Sequence, residues 1–323
     1  MYYRIRHLTR FRYSEPVTES IMELRMHPRT EAQQRCLDYQ RAVTPKANIH
    51  TYRDYLGNSV HHFDIPGAHA QLQIMAESVV EMKPWTPAPP SLPPSAWEEL
   101  DQAVAEGDFW EMLLPSFYCR TTPLLEKLAA EFEAVRRDDP LGLLIELSER
   151  MFRGFEYTPR STRVDSPIDE ALTQRKGVCQ DFSHIFISLA RKLGIPSRYV
   201  SGYLHHRKED HDRSDDGATH AWVECWLPGL GWTGIDPTNN LLAGERHIRT
   251  ALGRDYADVP PTRGVFKGGA KTPLTVAVDV SPCDELPPEL AEMTLSEENS
   301  FPQDVIALEQ QMSDWEMQQQ QQQ

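Results

Sequence analysis

The chain is 323 residues long, which leaves room for two domains that each bury a core. A formal net charge of −15 weighs against nucleic acid and anionic membrane surfaces as partners, and favours cationic, lysine-bearing substrates. Five cysteines without a C-x-x-C spacing define neither a disulfide framework nor a metal site. The opening Met1–His7 is charged and lacks the apolar stretch of a signal peptide, and no window approaches the ~18 consecutive apolar residues of a membrane span. A reducing cytoplasm is the expected location, and it would keep a reactive thiol usable.

Residues 1–83 read as all-β. Met22, Leu24 and Met26 alternate with Ile21, Glu23 and Arg25, while His61, Phe63 and Ile65 follow a Gly57-Asn58 turn. Leu72–Met82 supplies another strand, so the pattern predicts a small antiparallel sandwich. It holds no concentrated chemistry, and His61 and His62 read as ordinary surface or core residues. Pro84, Pro87, Pro89, Pro90, Pro93 and Pro94 make residues 84–97 an extended, semi-rigid linker. From Ala96 to Arg153 the chain turns helical. One apolar stripe runs through Leu124, Leu125, Leu128, Ala129, Phe132 and Val135, another through Leu143, Leu144, Leu147, Met151 and Phe152.

The chemistry is concentrated between Lys176 and Asp236. After Cys179, Phe182, Ile185, Phe186, Leu189 and Leu193 recur at helical spacing, and Gly194 and Pro196 mark the stop. Cys179 therefore opens a helix, where unpaired backbone N–H groups and the helix dipole stabilise a thiolate and can hold an oxyanion. A cysteine at such a place is also readily a small core residue. His184, five residues on, points to another helix face and reads as packing.

Downstream, His220–Leu227 alternates with period two, Pro228-Gly229-Leu230-Gly231 breaks the run, and Trp232–Asp236 resumes it. The loop length decides the chemistry. A two-residue loop puts His220 and Asp236 on opposite faces of the hairpin. A three-residue loop pairs Leu227 with Gly231 and sets Asp236 diagonal to His220 on the same face, within side-chain reach. A nucleophile, a base and an orienting carboxylate need the odd loop. In either register Cys225 falls on the opposite face from His220.

Arg207–Gly217 carries five carboxylates and His211 but lacks the glycine and glutamate positions of an EF-hand, so it reads as a solvated loop able to act as a lid. Tyr256–Phe266 reads as loop. Leu274, Val276, Val278 and Val280 alternate as a last strand of the core sheet. In the acidic tail, Val305, Leu308, Met312 and Trp315 fall at helical spacing before a run of six glutamines. That helix either folds back on its own chain or docks a partner or a second copy.

The blocks Gly177-Val178-Cys179-Gln180-Asp181-Phe182, His220-Ala221-Trp222-Val223-Glu224 and Gly231-Trp232-Thr233-Gly234-Ile235-Asp236-Pro237-Thr238, in that order, resemble the signature regions of the transglutaminase-like superfamily. The resemblance extends downstream to Phe266 and upstream into the first 80 or so residues, which look like the β domain of bacterial members. It implies an α+β fold: an N-terminal antiparallel β-sandwich-like domain (1–83), the linker (84–97), a papain-like cysteine core with helices on an antiparallel sheet (98–282), and the tail (283–323). It carries over Cys179 as nucleophile, His220 as base and Asp236 as orienter. The tryptophan that helps form the oxyanion hole in animal relatives has no match. The Cys179 backbone N–H, Tyr157 and Gln174 are the candidates instead, with Trp222 and Asp181 as candidate cleft residues. No cofactor or metal is expected.

These parts predict attack of Cys179 on a carboxamide or peptide carbonyl and a thioester intermediate. Water as acceptor makes a peptidase or amidase; a lysine amine makes a transglutaminase. The substrate is a protein or peptide. The alternative is an inactive scaffold kept as a protein interaction module.

Overall fold

The computed structural model describes residues 1–207 and 209–283; the tail helix expected through Val305 and Trp315 lies outside them. Six strands open the chain: β1 (Tyr2–Val17), β2 (Glu19–Leu24), β3 (Gln34–Thr44), β4 (His50–Arg53), β5 (Ser59–Ile65) and β6 (His69–Met82). They divide between two sheets because their apolar residues alternate, and one face of each sheet must leave water. In the first, β6 pairs antiparallel with both β1 and β3; in the second, β5 pairs antiparallel with both β2 and β4. Val17, Met22, Leu24, Phe63, Ile65, Leu72 and Ile74 fill the space between them.

After the proline stretch come α1 (Ala96–Glu106), α2 (Pro123–Glu131) and α3 (Pro140–Gly154). Both α2 and α3 start with proline in the first turn behind a capping side chain, the order that suits a helix N-terminus. Thr122 accepts the Leu125 amide at 3.2 Å and Asp139 accepts the Gly142 amide at 2.9 Å. The chain continues through β7 (Glu156–Tyr157), α4 (Ile168–Gln174), β8 (Lys176–Gly177) and α5 (Cys179–Lys192). There follow β9 (Ser197–Leu204), β10 (His220–Leu227), β11 (Gly231–Asp236), β12 (Leu241–Leu242) and β13 (His247–Gly253). These last five form one antiparallel sheet in the order β12-β11-β10-β9-β13. Helix α5 packs on its centre, where Phe182, Ile185, Phe186 and Leu189 meet Ala221, Val223, Cys225 and Leu227.

The end of the described chain departs from expectation. Thr262–Lys267, read as loop, is β14 and pairs with β2; Leu274–Cys283, read as a last strand of the core sheet, is β15 and pairs with β1. The chain returns to complete both sheets of the sandwich. Alternation marks a strand but not its partner, and here the open edges of β1 and β2 supply the missing hydrogen bonds.

The core sheet is covered on both faces, so polar groups on its second face must be paired. Glu224 is buried and holds Arg198 at 2.6 Å and Arg249 beside it. Gln34 of β3 then brackets Arg249, donating to its carbonyl at 2.9 Å and accepting its amide at 2.8 Å. Trp222 lies flat across Gly202, where a Cβ would stand 2.7 Å from the indole and 2.1 Å from the Ile248 carbonyl oxygen. Replacing Glu224 with alanine leaves two guanidinium groups facing a buried gap. Urea denaturation should show a loss of about 3–5 kcal/mol, the usual cost of stranding one side of a buried pair. A loss under about 1 kcal/mol would mean that the pair is solvated after all.

Candidate active site

Helix α5 starts where its sequence breaks with the preceding strand. The Asp181 carboxylate turns back to accept the Val178 amide N–H at 2.8 Å and the Thr162 hydroxyl at 2.5 Å. Gly177 permits this, since a Cβ there would lie 2.8 Å from Asp181 Cβ. Burial raises the Asp181 pKa, and its two donors oppose that. Asp181 is thus a buried cap of the helix rather than a wall of the cleft, because a carboxylate three residues into a helix satisfies the end better than solvent does. The result holds Cys179 as the first helical residue, partly buried, with its backbone N–H among the unpaired donors of the first turn.

The hairpin takes the odd loop. Leu227 pairs with Gly231 and Val223 with Ile235, so Asp236 stands diagonal to His220. His220 Nε2 and Asp236 Oδ2 are 2.7 Å apart, both residues fully buried. His220 Nδ1 has no hydrogen-bond partner among the described residues and is the ring atom left for Cys179. Burial alone would lower the His220 pKa, but the Asp236 charge and hydrogen bond, followed by Cys179, raise it to about 10. Asp236 moves the other way. Burial would raise it, yet His220 and then His247 hold the carboxyl far below the usual range.

Trp222, expected in the cleft, is 0% exposed. It stacks on His220 at 6.0 Å and 22° and backs the imidazole, because the second face of the sheet is packed rather than open. Of the oxyanion candidates, Tyr157 is partly buried and feels the Cys179 charge. Burial and then the charge on Cys179 raise its pKa, so it stays a neutral phenol. Its oxygen accepts the Asp215 amide N–H at 3.3 Å, which leaves its own proton free to donate. Gln174 is exposed and lines, with Tyr157, a cavity of about 640 Å³. His184 packs, stacked on Tyr118 at 5.0 Å and accepting the Tyr256 amide at 3.2 Å.

Two residues at the site escaped the sequence reading. Asn239 donates through Nδ2 to Asp236 Oδ2 at 2.8 Å, and the Thr238 and Asn239 amides donate to Oδ1 at 3.0 and 3.2 Å. An aspartate opening Asp-Pro-Thr-Asn is the signature of such a side-chain turn, so that signal was present. His247, from the edge strand β13, places Nε2 3.3 Å from Asp236 Oδ2. Nothing local marked it, for its approach depends on sheet order.

The Arg207–Gly217 loop keeps Glu209, His211, Asp215 and Asp216 exposed, as expected of a solvated segment, but is tied down elsewhere. Asp212 and Asp210 pair with Arg246 at 2.7 and 3.2 Å, and the amides of Arg213 and Ser214 donate to Asn239 Oδ1. Two of its five acids are used in these ion pairs, and Arg213 and Ser214 tie it to the turn that holds Asp236. Among the described residues, His220, Asp236 and His247 form a grouping with ligand atoms within 4.8 Å. Both ring nitrogens approach the same carboxylate oxygen at hydrogen-bond distance, 2.7 and 3.3 Å.

Comparison with known proteins agrees with this architecture. Residues 3–81 match the bacterial transglutaminase-like N-terminal region, and residues 128–237 match the transglutaminase-like superfamily. The chain belongs to that superfamily, whose members generally carry out cysteine-dependent acyl transfer. It is 34% identical to ML0607 of Mycobacterium leprae, over 86% of this chain and 98% of that one. It is 35% identical to Rv2569c of Mycobacterium tuberculosis, over 87% and 92%. A crystal structure from Cytophaga hutchinsonii, provisionally described as a cysteine protease, shares the fold with a TM-score of 0.68 at 22% identity, over 89% of this chain and 93% of that one. A 149-residue segment is 31% identical to part of a protein-glutamine gamma-glutamyltransferase of Pseudomonas aeruginosa, covering 40% of this chain and 21% of that one.

The His220–Asp236 pair makes stability depend on pH with a definite sign. His220 is raised above its ordinary 6.5, so its contribution is full below that pH and is lost as pH rises toward about 10. Asp236 is depressed below its ordinary 3.8, so its contribution is present above that pH and fails only in stronger acid. Denaturation midpoints of the wild type should therefore fall relative to those of His220→Gln between pH 7 and 10. Parallel curves for the two proteins would contradict the pairing.

Proposed function

We propose that this protein is a thiol-dependent enzyme acting on carboxamide or peptide bonds, with Cys179 as nucleophile, His220 as acid and base, and Asp236 as orienting carboxylate. The observation that carries the reading is the buried His220 ring, whose Nε2 is bonded to Asp236 while Nδ1 is left open for Cys179. The Cys179 thiolate attacks the carbonyl carbon, and in this reading the helix-start N–H and the Tyr157 hydroxyl receive the oxyanion. The C–N bond breaks as His220 gives its proton to the departing nitrogen, and a thioester remains. His220 next takes a proton from the acceptor. The acceptor bonds the acyl carbon, and the thiolate leaves.

With water as acceptor the product is an acid, and with a lysine amine it is a new amide. We favour water, because Cys179 is only partly buried at the helix start. The substrate of this reading is a protein or peptide, and a reducing cytoplasm keeps the thiol available.

The decisive experiment incubates a glutamine-containing peptide with and without a primary amine and follows masses. Deamidation or chain cleavage marks hydrolysis, and amine incorporation marks transamidation. Cys179→Ala should abolish either, and Asp236→Ala should cost about 10⁴-fold. Burial pushes the thiols of Cys119 and Cys225 up to about 12, and that of Cys36 likewise, helped by Asp38. Iodoacetamide below pH 8 should therefore label Cys179 well ahead of those three. Uniformly slow labelling, with no product from any peptide, would replace the enzyme with an inactive scaffold.

A further inference from the structure

We propose that His247 is a positioning residue for the reaction assigned above: a neutral imidazole that donates its Nε2 proton to Asp236 and fixes the carboxylate on His220. This rests on the reading of Asp236 as the orienter of His220.

The proton inventory of the ring carries the argument. The Gly244 amide N–H donates to His247 Nδ1 at 3.2 Å, so Nδ1 presents a lone pair and holds no proton. The proton of a neutral ring then sits on Nε2, which faces Asp236 Oδ2 at 3.3 Å. A backbone amide cannot change sides, so it selects this tautomer permanently.

The surroundings keep the ring neutral. His247 is buried at the start of β13, edge-on to Trp222 at 5.1 Å. The charged and titratable groups facing it are Asp236, His220 and Arg246, with Arg207 and Glu245 across a cavity of about 350 Å³ that the ring borders. Burial lowers its pKa. Asp236 opposes this, while His220 and Arg246 lower it further. Two cationic rings on one carboxylate oxygen would repel each other, so His220 takes the charge and His247 stays neutral.

This division has a chemical use. When His220 gives its proton to the departing nitrogen, Asp236 loses its counter-charge while still buried. The His247 donor is unchanged through that step. It stabilises the anion and keeps the His220 proton from moving to Asp236, so His220 remains the proton carrier.

Two substitutions separate positioning from packing. His247→Phe keeps a ring but has no donor; His247→Gln places an amide N–H near the position of Nε2. The Phe variant should lose roughly 10- to 100-fold in kcat with KM unchanged, the range of one hydrogen bond to a charged group, and Gln should recover most of that loss. Imidazole ¹⁵N spectra supply a readout that needs no turnover. At pH 7 the wild-type His247 signal should be that of a neutral ring protonated at Nε2. The His220 titration should move to higher pH in the Phe variant, where more carboxylate charge falls on its proton, and return toward wild type with Gln. A ring protonated at Nδ1, or a cationic ring, would overturn the proposal. Equal losses in both variants with an unmoved His220 titration would also overturn it. If the wild type turns over no peptide at all while the spectra behave as expected, the proposed function falls and the hydrogen bond stands.

Discussion

A carboxylate taken out of water costs several kcal/mol unless donors replace its hydration, and Asp236 is fully buried. Two amides donate to Oδ1, and His220, Asn239 and His247 bring three more donors to Oδ2. Those donors come from the first residue of β10, the turn after β11 and the first residue of β13. None of the three segments can move alone without stranding the anion. Asn239 also accepts the Arg213 and Ser214 amides, so the acidic loop is held by the same node. The strand ends, the turn and the 209–217 loop are thereby one polar network. Such a network is worth keeping only when every member is satisfied.

That network sits at the end of a sheet whose two faces have different coverings. Helix α5 and its apolar side chains cover one, and the sandwich closes the other through Tyr3, Ile5, Val80 and Met82 against Tyr203 and Ile248. Asn58 of the sandwich donates to the Leu252 carbonyl at 2.8 Å and accepts the Leu252 amide at the same distance. The N-terminal β domain therefore backs the sheet that carries His220 and His247. It contributes rigidity to the site and none of its reactive groups.

The site was legible where the information is local. Helical spacing after Cys179 places the thiol at a helix start, and the loop at Pro228–Leu230 decides the His220–Asp236 register by parity alone. What could not be read depends on which strand lies beside which. The β14 and β15 returns pair residues some 240 or more positions apart in sequence, and no periodicity encodes a partner at that separation. Trp222 was misplaced for a related reason: alternation distinguishes two faces but does not say that both are buried. His247 joins Asp236 across β9, β10 and β11, so its role exists only in the assembled sheet.

The surroundings of Cys179 follow from the same geometry. His220 and Asp236 are sealed in, whereas Cys179 is only partly buried at the helix start. Two loops are tied to these surroundings. The 158–166 loop is tied to the helix cap by Thr162 on Asp181 and by Gln180 on the Val164 carbonyl at 3.0 Å; the 209–217 loop is tied to Asn239 and to the Tyr157 hydroxyl. Each tether ends on a residue that also positions a reacting group. Closing either loop over an acyl group would shift the helix cap or the Asp236 turn. Solvent exclusion and alignment of the site are coupled here.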